Sequence, residues 1–69
     1  MNSVGIRNGR LEQLRREKGL SRRALAAQLQ LRGVDVGQGV VARLESGERK
    51  CSEAESIALA DIFGADWQK

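Results

Sequence analysis

The sequence predicts an all-α fold, a compact bundle of four to five short helices forming one domain over residues 1–69. Three observations predict it. Apolar residues recur at helical spacing in four separate stretches: Leu11 with Leu14, Leu25 with Leu29, Val41 with Leu44, and Ile57 through Phe63. Capping residues precede these stretches at Asn8, Ser21 and Ser52, and glycines follow them at Gly19, Gly47 and Gly64. No proline interrupts any of them, and one Phe, one Trp and no Tyr leave a core of Leu, Val, Ile and Ala.

Taken in order, Met1 to Arg7 show no period and are expected to be a loose N-terminal arm. Asn8 is placed to cap a first helix whose Leu11 and Leu14 share a face. Arg15, Arg16 and Lys18 crowd its last turn, where cations suit the helix dipole, and Gly19 ends it. Ser21 then caps a second helix with Leu25, Ala26 and Leu29 inward. A small residue such as Ala26 is needed where two helices cross steeply. Leu31 to Val36 form a connection in which Gly33 offers a turn and Val34 and Val36 alternate about Asp35. Its apolar residues are expected to pack down, with Gly37 or Asp35 capping the third helix.

The third helix runs from about Gln38 to Ser46 and Gly47 stops it, leaving Glu48-Arg49-Lys50 as an exposed charged loop. Ser52 and Glu55 have capping-box spacing and open a fourth helix, with Ile57, Leu59, Ala60, Ile62 and Phe63 as its apolar content. Gly64 ends that helix, and Ala65-Asp66-Trp67 can make one further turn. No internal repeat appears.

Sixty-nine residues lie near the lower limit for a fold held by a hydrophobic core alone, which leaves room for a binding surface and little else. No apolar run approaches the roughly 20 residues needed to cross a bilayer, so a soluble, cytoplasmic protein is expected. Cys51 is the single cysteine and there is no histidine. A zinc site would be short of ligands, and neither a metal nor a cofactor is expected. The same residue set offers no nucleophile beside a base and no glycine-rich phosphate loop after a strand, which argues against an enzyme. Scarce aromatics argue against a reader of unpaired bases.

Charge is unevenly divided. Residues 1–50 carry 11 Lys/Arg against 5 Asp/Glu, whereas residues 51–69 carry 1 against 4. The front of the chain suits a polyanion and the back does not. Arg22 and Arg23 stand in the first turn of the second helix, electrostatically the wrong end for cations. As phosphate contacts they make sense, because the free N–H groups of a helix start also favour an anion; the alternative is an exposed solvated pair.

On a helical wheel the third helix turns Val41 and Leu44 one way and Gly39, Ala42, Arg43 and Ser46 the other. That outward face is narrow and carries a guanidinium, the group best suited to reading guanine in the major groove of double-stranded DNA. Gln38, at the helix tip, suits adenine by the same geometry, or else is a cap or a surface amide. Glu45 lies beside Val41 and Leu44, so its carboxylate requires a partner.

The ordered series Lys18-Gly19-Leu20-Ser21, Leu25-Ala26, Leu44-Glu45-Ser46-Gly47, Leu59-Ala60 and Phe63-Gly64 resembles the helix-turn-helix domain of the phage repressor and Cro family. This is the xenobiotic-response-element-like, lambda-repressor-like DNA-binding type, and the likeness runs from about Arg10 to Trp67. The segment 29–36 is similar to a longer-turned subset, in which Ala26 to Val41 exceeds the compact motif by about five residues. The resemblance implies base contacts from Gln38, Gly39 and Arg43. It also implies phosphate contacts from Ser21 and Arg22 and from the backbone around Arg49 and Lys50, and a structural ion pair between Arg15 and Glu45. Gly39 departs from the pattern, since it has no side chain with which to read a base and weakens the helix by roughly 0.5–1 kcal/mol.

Together these features imply a transcriptional regulator, expected to be a repressor, bacterial or phage-encoded, binding double-stranded DNA as a homodimer. The competing expectation is a protein-interaction module on the same fold, an antitoxin or coactivator-like bridge, favoured by Gly39 and the acidic final third. Val40 is expected to pack against the 31–36 segment, or to touch a thymine methyl. Cys51 is expected to be a small semi-buried hydrophobe, since a redox switch would require a lowered pKa and exposure. Trp67 is either the lid of a small core or part of a dimer contact.

Overall fold

In the computed structural model, residues 3–67 are described, with side chains over residues 9–67. Four helices make up the described chain: α1 (Ser3–Glu17), α2 (Arg22–Leu31), α3 (Gln38–Ser46) and α4 (Glu53–Phe63). No strand occurs among the described residues. The expected fifth element is a single turn at 65–67, closed by the Trp67 amide donating to the Gly64 carbonyl at 3.1 Å.

Each of the later three helices buries residues at one helical spacing. In α2 these are Leu25, Ala26 and Leu29; in α3, Val41, Leu44 and Glu45; in α4, Glu55, Ala58 and Leu59. Leu11 and Arg15, one turn apart, do the same for α1. Thus α3 stands between α1 and α2, and α2 reaches on to α4. Leu25, Leu29, Leu59 and Val41 are fully enclosed. Burial of each such side chain stabilises the fold by roughly 1.5–3 kcal/mol. Val34 and Val36 of the connection and Trp67 complete the core. Trp67 is therefore the lid of the core, and Arg10 Nε fastens it by donating to its carbonyl at 3.1 Å.

The structure differs from expectation at the start of α1 and at Leu31. The first helix starts at Ser3, so Asn8 lies inside it and does not cap it, and residues 3–7 form its first turns; Met1 and Asn2 lie outside the described residues. A helix is continued by backbone hydrogen bonds as well as by a buried stripe, and residues 3–8 contain no proline to break it. Leu31 closes α2 instead of opening the connection, and at 79 % exposure it does not pack down. Ile57 is 64 % exposed. The inward stripe of α4 runs through Glu55, Ala58 and Leu59, so a charged side chain shares the buried face with apolar ones. Gly37, with extended backbone, is the N-cap of α3, and Asp35 is not.

The glycine stops act through left-handed backbone at two places that matter here. Gly19, at φ 71°, turns the chain between α1 and α2. Gly47, at φ 87°, ends α3, with its amide and that of Arg49 both donating to the Arg43 carbonyl at 3.1 and 3.3 Å. The capping box of α4 is formed in both directions: Ser52 Oγ accepts from the Glu55 amide at 3.2 Å, and Glu55 Oε1 accepts from the Ser52 amide at 2.9 Å.

Candidate nucleic-acid interface

The third helix is anchored along one side and open along the other. Val41, Leu44 and Glu45 are buried, whereas Gln38, Gly39, Arg43 and Ser46 are exposed and Ala42 is intermediate. Val40 is half-buried against the core. Gln38 does not cap the helix, and its side-chain amide has no hydrogen-bond partner among the described residues. Ser46 is exposed but locally engaged, donating to the Arg43 carbonyl at 3.2 Å and accepting from the Glu48 amide at 3.4 Å. A Cβ on Gly39 would meet nothing within 4 Å. Gly39 therefore keeps the outer face of the first turn slim and is not required by packing inside the protein.

The inward side of α3 is held by charge. Arg15 Nε donates to Glu45 Oε2 at 2.5 Å and its Nη2 to Oε1 at 3.4 Å, while Nη1 donates to the Leu20 carbonyl at 2.7 Å. Arg15 and Glu45 are thus brought together as a buried pair. Sequence reasoning missed a third member, Arg22, whose Nε donates to Glu45 Oε1 at 2.9 Å. One carboxylate from α3 thereby accepts from α1 and α2 at once, and no buried side-chain nitrogen or oxygen lacks a partner among the described residues. A buried charge with both oxygens hydrogen-bonded to guanidinium groups is tolerable, whereas the same charge left alone costs several kcal/mol.

This triad also accounts for a cation at the start of α2. The hydrogen bond to Glu45, and then the charge of Glu45, push the Arg22 guanidinium further toward its charged form. Its side chain remains partly exposed, and its two terminal nitrogens have no partner among the described residues. Beside it, Ser21 Oγ caps α2 by accepting from the Ala24 amide at 3.0 Å, which leaves its hydroxyl proton available to a ligand.

A parallel arrangement lies beyond α3. Arg49 Nη2 donates to Glu55 Oε2 at 2.5 Å, and Glu55 is itself buried in the capping box of α4. Arg49 and Arg22, both expected phosphate contacts, each rest one edge on a buried carboxylate. Neither pairing was visible in the sequence, because each depends on how helix ends meet in space.

Among the described residues, Arg16 is paired with Glu12 and Arg32 with Asp61. Lys18, Arg23, Arg43 and Lys50 are exposed and have no carboxylate within ion-pairing distance. Arg23 stands in the first turn of α2, Arg43 on the outer face of α3, and Lys50 just past its end. Lys18 lies in the turn between α1 and α2, so of these four cations Arg43 and Lys50 are the two on or just past the exposed helix.

Cys51 is half-buried, and loss of hydration raises its thiol pKa above the ordinary value, with Glu55 adding to the shift. That is opposite to the lowered pKa a reactive thiol needs. No helix among the described residues is long and apolar enough to cross a membrane.

Comparison with known proteins agrees with this geometry. Nothing among curated proteins or solved structures matches the chain. A family model described as a helix-turn-helix domain matches residues 9–68, which takes in most of α1 and all of α2, α3 and α4. With α2 and α3 packed together and α3 turned outward, the chain belongs to a helix-turn-helix domain family of the Cro/C1 kind.

Proposed function

We propose that this protein is a sequence-specific regulator of transcription, acting as a repressor, that docks α3 in the major groove of double-stranded DNA. The observation that carries this reading is the exposed face of α3, a slim surface bearing Gln38, Gly39 and an unpaired Arg43, with the uncompensated Lys50 just past its end and Arg23 at the start of the adjoining α2. Binding divides into two parts. Ser21, Arg22, Arg23, Arg49 and Lys50 neutralise or hydrogen-bond phosphates without regard to sequence. Arg43 and Gln38 read base edges, Arg43 preferring a guanine.

Two copies of the chain bind together on a two-fold site, with half-sites about 34 Å apart, one turn of the duplex. The protein works in the cytoplasm of a bacterium or infected host, on the nucleoid. The exposed Leu31 at the end of α2 and Ile57 on α4 support a second reading in which a protein partner is the main ligand.

Selection of bound duplexes from a random pool tests the proposal. A two-fold consensus with half-sites one turn apart is expected, with a G·C pair at a position whose preference disappears in Arg43→Ala. Recovery of unselected sequence, or a preference unchanged by Arg43→Ala, would refute base reading by α3. A salt titration separates the second reading, since an apolar protein interface responds little to salt.

A further inference from the structure

We propose that Gln30, on α2, is the residue that sets the reading end of α3, and so governs specificity without touching DNA. This rests on the DNA-reading role proposed for α3 and names what positions it. The start of α3 is poorly held by its own sequence. Its N-cap, Gly37, supplies no side-chain hydrogen bond, and Gly39 sits in the first turn. The first core anchor within the helix, Val41, comes only a turn later.

What precedes the helix is firmer. Val36 is buried, and the Gln30 side-chain amide spans the connection to donate to the Val36 carbonyl at 2.8 Å. The connection itself folds back on α2 through the Val34 amide, which donates to the Leu29 carbonyl at 3.0 Å. Gln30 therefore ties the residue immediately before the N-cap to the last turn of a neighbouring helix. Gln38, the base-reading candidate at the tip, follows that tied residue by two positions. Arg43, beyond Val41 and next to Leu44 and Glu45, is fixed by the core and does not depend on the tie.

The two candidate reading residues thus have separate supports. Loss of the tie loosens Gln38 and leaves Arg43 in place. Gln30→Met is the informative change, because it keeps the length and helix preference of the side chain, adds no charge, and removes the amide that donates to Val36.

Amide hydrogen exchange on the free protein reads the tie directly. The Val40 and Val41 amides donate to the Gly37 carbonyl at 3.1 and 3.2 Å and report the first turn. In Gln30→Met their protection is expected to fall about twofold to tenfold, the equivalent of one ordinary hydrogen bond. The Leu25 amide, bonded to the Ser21 carbonyl at 2.9 Å, is expected to be unchanged and shows that the fold is intact.

The second arm measures binding to duplexes drawn from the selected site. Discrimination at the base pair read by the helix tip is expected to fall several-fold, with the preference due to Arg43 and the affinity for random duplex retained. Unchanged protection at Val40 and Val41 would overturn the proposal. Weaker protection with full discrimination retained would also overturn it. If wild-type protein binds no duplex, the function proposed above fails, and the proposed control of specificity fails with it, while the exchange result still decides whether the tie exists.

Discussion

α2 and α3 are packed against each other and nearly equal in length, yet they are stabilised in opposite ways. α2 is self-sufficient: a serine cap closes its start, its interior contains no glycine, and its three buried residues are all apolar. α3 begins at an uncapped glycine, carries another in its first turn, and buries a carboxylate. A helix that must present a slim face to a ligand gives up local stability there, and its neighbours supply the rigidity. Glu45 gathers Arg15 and Arg22 around it, and Leu44 and Val41 lock the same side.

The largest expected effect tests that external support. Glu45→Ala leaves the buried Arg15 with one carbonyl in place of its carboxylate, and is expected to cost about 3 kcal/mol or more in urea unfolding. A loss of only a few tenths would mean that α3 stands on its own packing. Next comes Arg43→Ala, which touches no intramolecular partner. It is expected to leave the unfolding midpoint unchanged while removing about 1–3 kcal/mol of discrimination at one base pair.

Smaller effects sharpen the contrast between the two helix starts. Ser21→Ala removes the hydrogen bond to the Ala24 amide and is expected to destabilise the protein by about 1 kcal/mol, read by thermal or urea unfolding. Gly39→Ala has the opposite expected sign, a gain of roughly 0.5–1 kcal/mol, because the added methyl meets nothing within 4 Å and the backbone is already helical. A loss at Gly39 would show that glycine is required in the free protein. Smallest of all, Cys51 is expected to react with iodoacetamide more slowly than a free thiol at pH 8. Its raised pKa reduces the thiolate fraction there, and the rate should climb only at higher pH.

Much of this architecture was legible in the sequence, for identifiable reasons. Val41 and Leu44 fall three apart, so the orientation of α3 followed from the wheel, and Ser52 with Glu55 announced the start of α4. Gly19 and Gly47 marked turns because only glycine adopts left-handed backbone without strain. The start of α1 was not legible, since residues 3–8 carry no apolar period. The inward face of α4 was not legible either, because apolar residues surround much of the helix and the buried stripe includes a charged side chain, Glu55.

At the candidate interface, exposure of Gly39 and Arg43 could be read from helical spacing, whereas Gln38 came as a base-facing residue through family resemblance. The pairing of Arg15 with Glu45 came through family resemblance. The partners of Arg22 and Arg49, and the bond from Gln30 to Val36, carried no signal in the sequence. Each joins residues whose proximity is set by helix crossing or by the path of a connection, and polar residues on a helix surface look alike until that path is known.

The most direct test of the central claim compares wild type, Arg23→Ala and Arg43→Ala on the selected duplex and on a scrambled one between about 50 and 200 mM salt. Arg23→Ala is expected to weaken both complexes alike and to reduce the salt slope by roughly one phosphate contact. Arg43→Ala is expected to weaken the selected complex alone. Equal losses on both duplexes for the two variants, or affinity indifferent to salt, would contradict a division between phosphate neutralisation and base reading by α3.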